Sequence, residues 1–288
     1  MGGRRPVWSR AVNTPYESLV VELEGGVLRV TVDNPPVNVL DVRLMEDLTS
    51  LLTAVAPRPD VRVIVFDSAD ADFFIAHVDM SLIDDPHAFD EIAARAPAGL
   101  NPFQALGERL RHQPQATIVK LTGTARGGGA EFVAAADMAF AAIDGAALGQ
   151  IESLMGIVPG GGGTQYTRAR MGRNRALEVV LGGGLVDART AERYGWVNRA
   201  LPADELDRFV DELARNIADL PPGVLAAAKR ALPPTSLQLG LLAEHDAWAE
   251  QFARPATERL IREGLATGAQ TRQGERRLEE LLRAVALD

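Results

Sequence analysis

The chain contains no cysteine, which rules out disulfide bridges and thiolate metal sites. Basic residues are in deficit: 30 Lys and Arg stand against 39 Asp and Glu, a formal charge of −9. Nucleic acid or an anionic membrane is therefore not expected as the main partner, because phosphate binding needs a basic face. A small phosphorylated ligand needs only a few local cations and stays open. Long apolar runs are also missing. The longest charge-free run, 153–167, is broken by Pro159 and the glycines 160–163, and does not suit a membrane span. Residues 1–6 carry two arginines with no apolar run behind them, so a secretory signal is not expected. Pro6 stands where a myristoylation signal wants Ser or Thr. The four histidines, His77, His87, His112 and His245, lack metal-ligand spacing, and no metal site is expected. Together these absences point to a soluble, cytoplasmic protein.

The 288 residues, 47% of them hydrophobic, suffice for one large domain or a core with an appendage. Residues 1–17 read as a polar tail. Runs 19–23 and 27–32 read as strands joined at Gly25-Gly26, a hairpin signal. Asn34-Pro35-Pro36 ends the second strand. Asp41 is placed to cap a helix whose Leu44, Leu48, Leu51, Leu52 and Val55 share one face. Further strands are expected at 62–66, 73–76, 117–121, 138–142, 147–149 and 196–197. Asp79 is placed to cap a short helix. Longer helices are expected at 106–111, 131–136, 164–171, 175–181 and 187–194, and a flap or loose helix over 84–99. Beyond 202 only helix signals remain, at 203–219, 222–231, 236–266 and 273–286. The fold class is α/β: a core over 18–202 with a strand-strand-helix cadence that suits a spiral of stacked units, then a helical region over 203–288.

One stretch organises the rest: Gly123-Thr124-Ala125-Arg126-Gly127-Gly128-Gly129-Ala130-Glu131. A strand-like run leads in and a helix-like run leads out. Consecutive glycines there leave backbone N–H groups bare, and a helix start carries partial positive charge. Glu131 follows in the first helical turn. A tight strand-to-helix corner is the plainer reading of a glycine pair; a triplet with an acid behind it is less easily reduced to that. It fits neither a phosphate-binding loop with lysine nor a dinucleotide fingerprint. Glu152, in Gly149-Gln150-Ile151-Glu152, sits in apolar company, as a helix cap or as a working carboxylate with raised proton affinity. Glu131 and Glu152 make a pair suited to acid–base chemistry. Gly160–Gly163 suits phosphate, or equally a close-packed turn. Arg168, Arg170, Arg173 and Arg175 read as a solvated helix face, with phosphate binding as the lesser alternative.

Several stretches together resemble the enoyl-CoA hydratase/isomerase (crotonase) family. They are Asn34-Pro35-Pro36-Val37-Asn38-Val39-Leu40, the strand at 63–66 with Phe74-Ile75-Ala76-His77-Val78-Asp79, the 123–131 turn, and 149–152 with 156–165. The resemblance runs from about residue 18 to about 232. It implies a crotonase-like spiral of β-β-α turns, a C-terminal helical region that builds homotrimers or hexamers, and an acyl-CoA thioester as substrate. No separate cofactor is implied, since coenzyme A enters with the substrate. By position, the Val78 and Gly128 N–H groups would form an oxyanion hole. Such donors are worth roughly 3–4 kcal/mol each at the transition state. Ala76, His77, Asp79, Arg126 and Gly127 would lie against the substrate. Glu131 would activate water for C3 and Glu152 would protonate C2, which favours hydration of a 2-enoyl-CoA or its reverse. A double-bond isomerase or other crotonase-type enzyme using one glutamate, and a non-catalytic acyl-CoA-binding relative, are the alternatives. The family usually has glycine where this chain has His77, and a bulky apolar residue where it has Arg126. A polar or acidic acyl chain is the expectation drawn from these two departures. The 252–281 region lacks the family's usual glycine, aromatic and basic pattern, so contacts from a neighbouring subunit to coenzyme A are not implied.

Overall fold

A computed structural model describes residues 16–85 and 87–287; nearly all of the expected 1–17 tail lies outside the described residues. β1 (Leu19–Glu24) and β2 (Val27–Val32) form the expected hairpin, turning through Gly25 and Gly26, both at positive φ. α1 (Val42–Val55) starts where the Asp41 carboxylate accepts the Leu44 N–H at 2.8 Å. β3 (Val63–Ser68) follows. A 3₁₀ turn, Met80–Asp84, is capped by Asp79, and the expected flap holds only the short α2 (Asp90–Ala93). α3 (Pro102–Arg111) opens on a capping box between Asn101 and Gln104, earlier than the apolar pattern alone suggested. Then come β4 (Ala116–Leu121), β5 (Thr124–Arg126), α4 (Gly128–Ala135), β6 (Met138–Ala142) and β7 (Ala147–Gly149). A second 3₁₀ turn, Glu152–Met155, leads to α5 (Gly163–Met171) and α6 (Arg173–Gly182). β8 (Leu185–Asp187), α7 (Ala188–Tyr194) and β9 (Arg199–Leu201) close the strand-bearing part. The remainder is helical: α8 (Ala203–Ala218), α9 (Val224–Ala231), α10 (Gln238–Phe252), α11 (Pro255–Ala266), α12 (Arg272–Glu275) and α13 (Leu278–Leu287). No helix among the described residues is long and apolar enough to cross a membrane.

The strands form two sheets among the described residues. The larger runs β1-β2-β3-β4-β6-β9, parallel except for the β1–β2 hairpin; the smaller runs β5-β7-β8. Each middle turn of the chain places one strand in the large sheet and the next in the small one, β4 then β5, β6 then β7, before or after a helix. This is the expected strand-strand-helix cadence. The central strands are buried on both faces, so they read as continuous apolar runs such as Val63, Ile64, Val65 and Phe66. Phe66 meets Phe132 of α4 edge-on at 5.1 Å, which ties the sheet to the helix that carries Glu131. A second apolar cluster joins Met80, Ile151, Met155 and Ile157 to Ile261, Leu278 and Leu282 of the C-terminal helices.

Three expectations are corrected. Residues 73–76 make only an isolated bridge, Phe73 to Thr124, rather than a strand. The last strand is β9 at Arg199–Leu201, not 196–197; Trp196 is buried beside it as a packing residue. The single helix expected over 236–266 is two, because Pro255 disfavours helix at Arg254 and takes the first helical position of α11.

Asn38 holds 73–76 from the side opposite β5, whose Thr124 carbonyl accepts the Phe74 N–H at 2.9 Å. The Asn38 φ of 55° is one asparagine tolerates. Its amide nitrogen donates to the carbonyls of Phe73 at 3.3 Å and Phe74 at 3.1 Å, while its own carbonyl accepts the Ala76 N–H at 3.2 Å. The Asn-Pro-Pro-Val-Asn motif is thus a clamp on the segment that leads to Val78. Asn38→Ala is expected to destabilise the protein by about 2–4 kcal/mol, through loss of the side-chain bonds to the Phe74 carbonyl and the Asn34 N–H and a left-handed alanine. Asn38→Gly should lose only the first part. Denaturant titration separates the two; equal stabilities for all three proteins would refute the clamp.

Candidate active site

A cavity of about 390 Å³ lies between the 77–83 segment, the start of α4, Glu152, the glycine loop at 160–161 and the inner face of α10. Val78 and Gly128 both line it. Val78 is held by its neighbours. The Leu40 N–H donates to the His77 carbonyl at 2.8 Å, and the Asp79 N–H donates to the Leu40 carbonyl at 3.2 Å. The Val78 N–H is left with no acceptor among the described residues. Gly128 is the first residue of α4, where an N–H has no intrahelical acceptor. It must be glycine for reasons of space: a Cβ there would stand 2.7 Å from Val78 Cγ2 and 3.0 Å from Leu40 Cδ2. Gly127 turns the chain at φ 47° and donates its N–H to the Gly149 carbonyl at 2.9 Å, which joins the β5 end to the strand before Glu152. The triplet is therefore both a tight corner and a source of unspent N–H groups.

Glu131 and Glu152 line the same cavity, each less than a tenth exposed. Glu131 Oε1 accepts the N–H groups of Gly161 and Gly163, both at 2.9 Å. Burial, with the charges of Glu152 and Glu244, pushes the Glu131 carboxyl well above the usual range against those two bonds. Burial pushes Glu152 up to about 7. With its amide nitrogen turned inward, Gln150 donates to both Glu152 oxygens, at 3.0 and 3.1 Å. The amides of Gly161, Gly162 and Gly163 are thus not open to a phosphate. Those of 161 and 163 hold Glu131, and those of Gly162 and Thr164 hold Glu244.

His77 and Arg126 belong to one buried ion network. His77 Nδ1 lies 2.6 Å from the Val78 carbonyl and Nε2 lies 2.9 Å from Glu275 Oε1. Both ring nitrogens face acceptors, so the imidazolium is the form that fits. Burial alone would lower its proton affinity; Glu275 and the Val78 carbonyl override that and raise it. Arg126 reaches Glu275 Oε2 at 3.3 Å and Glu279 Oε1 at 2.6 Å.

Two peptide N–H groups without acceptors among the described residues, on residues that line the cavity beside a pair of buried carboxyls, are the kind of groups that stabilise negative charge on a carbonyl oxygen and move a proton at neighbouring carbons. A family model described as enoyl-CoA hydratase/isomerase matches residues 22–275. The chain belongs to the enoyl-CoA hydratase/isomerase family. It is 32% identical over 242 residues to the Mycobacterium tuberculosis protein named as a probable enoyl-CoA hydratase, echA8, covering 83% of this chain and 91% of that one. It is 31% identical over 220 residues to carnitinyl-CoA dehydratase of Proteus mirabilis, covering 76% and 82%. A crystal structure from Streptomyces avermitilis, provisionally named an enoyl-CoA hydratase, shares 62% identity with a TM-score of 0.94, covering 95% of this chain and all of that one. The crotonase-like fold expected from the motifs is thereby shown, with its C-terminal helical region.

Of the residues expected at the site, Glu131, Glu152, Val78, Gly128, Gly127, His77 and Asp79 line the cavity. Ala76 is buried against Val37, Val39 and Phe73 instead, and Arg126 is spent on Glu275 and Glu279 behind the lining. The expectation that His77 and Arg126 favour a polar acyl chain therefore loses its footing: each is committed to protein acceptors. Nor does His77 need the positive φ that a family glycine would supply, since only Asn38 and Gln270 take it among described non-glycine residues. Arg168, Arg170, Arg173 and Arg175 are not a uniform solvated face either. Arg170 is turned in, where it donates to the Ala134 carbonyl at 2.7 Å and to that of Ala136, capping the end of α4. Sequence reading missed Glu244, Glu275 and the aromatic wall of Trp248 and Phe252. For Glu244 a signal existed: with Leu241 and Trp248 it holds one helical face, so an acid interrupts an apolar stripe.

The His77–Glu275 pair makes stability depend on pH. A histidine whose folded proton affinity is raised contributes stability that is complete below its ordinary value, 6.5, and is lost as pH rises through the folded value. His77→Gln is expected to cost about 2–4 kcal/mol at pH 6 and clearly less at pH 9.5. A penalty constant across that range in denaturant titrations would show that no proton is held there.

Proposed function

We propose that this protein is an enoyl-CoA hydratase, adding water across the 2,3 double bond of a 2-enoyl-CoA or catalysing the reverse dehydration. The observation that carries this reading is the pair of buried carboxyls, Glu131 and Glu152, lining one cavity with Val78 and Gly128, whose N–H groups have no acceptor among the described residues. The thioester oxygen is assigned to the two N–H groups. Charge collects on that oxygen as a nucleophile adds at C3, and fixed donors stabilise it there. Glu131, held by two N–H donors, accepts the proton of the attacking water. Glu152 delivers a proton to C2. Both acids are pushed upward by burial, so the pair keeps a proton near neutrality, as addition of water requires. The named activities of the relatives, a hydratase and a dehydratase of CoA thioesters, support the same chemistry.

The acyl group is assigned to the apolar part of the cavity, walled by Met80, Phe89, Phe103, Met155, Trp248 and Phe252. This wall favours an apolar enoyl chain over a carboxylated one. We assign contacts to the bound substrate to His77, Asp79 and Gly127, not to Ala76 or Arg126. Coenzyme A enters with the substrate, and no separate cofactor is invoked. We further propose homotrimers or dimers of trimers built through the 203–288 region, in a cytoplasmic protein. Exposed Leu232, Leu239 and Leu242 support an interface there, as does α10, which buries only Leu241 and Glu244 of its own length. Sedimentation at micromolar concentration is expected to give a trimer or hexamer; a monomer would contradict it.

Glu131→Gln and Glu152→Gln, singly, are each expected to lower hydration of an apolar 2-enoyl-CoA by roughly 10²- to 10⁴-fold. Isomerisation chemistry would lose activity in only one of them. The rate should follow a bell in pH whose two limbs are the successive titrations of the coupled carboxyl pair, greatest where Glu131 and Glu152 together hold one proton. Crotonyl-CoA or a longer apolar homologue should outrun any carboxylated analogue. Unchanged hydration in either variant, or preference for the carboxylated substrate, would overturn the corresponding assignment.

A further inference from the structure

Four successive amides, 161 to 164, are shared alternately between two buried acids. The Gly161 and Gly163 N–H groups go to Glu131 Oε1, each at 2.9 Å. Those of Gly162 and Thr164 go to Glu244 Oε1 at 2.6 Å and Oε2 at 2.8 Å. The Thr164 hydroxyl also donates to Glu244, and Gln104 Nε2 approaches Glu244 Oε1 at 3.3 Å while donating to the Leu241 carbonyl at 2.8 Å. Gly162, at φ 104°, lets alternate amides face opposite ways. Space forbids anything larger: a Cβ on Gly161 would stand 2.2 Å from Glu131 Oε2, and one on Gly163 2.7 Å from Glu131 Oε1. Glu244 makes no salt bridge to a described Lys, Arg or His, so a buried acid has been kept there without a cation. A buried charge held that way is costly, and capping α5 alone would need only a serine or threonine.

We propose that Glu244 is a positioning residue for Glu131, holding the 161–164 loop in its alternating arrangement with its own carboxylate across that loop from Glu131. The inference rests on the proposed role of Glu131 as the base. α10 thereby reaches the chemistry without touching the reacting atoms. The groups that face these acids are few. Around Glu131 they are Glu152, Glu244 and the Tyr166 hydroxyl of α5; around Glu152, Glu244 and His77. Around Glu244 stand Gln104 and Thr164, while His245, next on α10, turns to Asn101. The Glu244 charge raises the proton affinity of both active acids.

The test compares wild type with Glu244→Gln, which keeps the shape and removes the charge, and Glu244→Asp, which keeps the charge and withdraws it from the loop. Glutamate Cδ is labelled with ¹³C and titrated by NMR in the free protein, alongside pH profiles of kcat/KM for an apolar enoyl-CoA. Glu244→Gln should lower the Glu131 midpoint by about one pH unit and move the acid limb of the profile the same way. Glu244→Asp should leave the midpoint in place and lower kcat by roughly ten- to a hundredfold through misplacement. A loss of thermal stability in Glu244→Gln with the midpoint unmoved would reduce Glu244 to a structural cap and overturn the proposal. Should the Gln variant not fold, the wild-type titration decides: Glu131 and Glu244 must titrate as a coupled pair, and independent titration overturns the proposal. A shifted midpoint in a protein that hydrates no enoyl-CoA would sink the hydratase reading and leave the positioning role standing.

Discussion

Two peptide N–H groups without acceptors among the described residues, those of Val78 and Gly128, are the point around which the surrounding restraints are arranged. An N–H that lines a cavity keeps its direction only if the backbone on both sides of it is held. Leu40 bonds the backbone on either side of the Val78 amide, at the His77 carbonyl and the Asp79 N–H. The His77 imidazole takes the Val78 carbonyl. Gly127 turns at positive φ and bonds back to Gly149, which fixes the first residue of α4. The Asn38 clamp holds the segment before Val78 from the other side. Most of the apparent ornament around the cavity is thus explained as restraint on two donors.

Two buried polar systems lie beside those donors, and they differ in balance. His77 and Arg126 face Glu275 and Glu279, so positive and negative groups match and the network can stay ionised in the interior. Burial would raise the Glu275 carboxyl, but the His77 imidazole and the Gln270 N–H hold it below the usual range. Glu131, Glu152 and Glu244 make no ion pair with a described cation, and only Glu152 feels the His77 charge. Peptide N–H groups hold Glu131 and Glu244, with the Thr164 hydroxyl also on Glu244, and the Gln150 amide holds Glu152. The first system is suited to holding the 77–79 segment still. The second is suited to exchanging protons near neutrality, because its acids resist ionisation.

The local pieces were legible in the sequence: the Gly25-Gly26 hairpin, the Asp41 cap, the glycine triplet and the two cavity acids all rest on signals a few residues long. What escaped depends on distance along the chain. Arg126 looked like a substrate residue because its acceptors, Glu275 and Glu279, lie 149 and 153 positions away. The Gly160–Gly163 loop looked ready for phosphate because bare amides suit any anion, and nothing local says that two side-chain carboxyls already occupy them. The break at Pro255 was readable from the proline alone and was overrun by the helical periodicity on both sides. Membership of the enoyl-CoA hydratase/isomerase family is foreshadowed by the order and spacing of motifs that the fold brings to one cavity, whereas the part of the cavity wall that α10 contributes, Trp248 and Phe252, lies outside those motifs.

The most direct measurement is the carbonyl stretch of a ¹³C-labelled 2-enoyl-CoA thioester, followed by isotope-edited infrared difference spectroscopy as it binds a variant slowed at Glu152. Two donors converging on the oxygen draw electron density from the carbonyl bond. The stretch is expected at clearly lower frequency in the cavity than in water. A bound thioester whose stretch lies at or above its value in water would mean that the Val78 and Gly128 amides do not meet at that oxygen, and the account would fail.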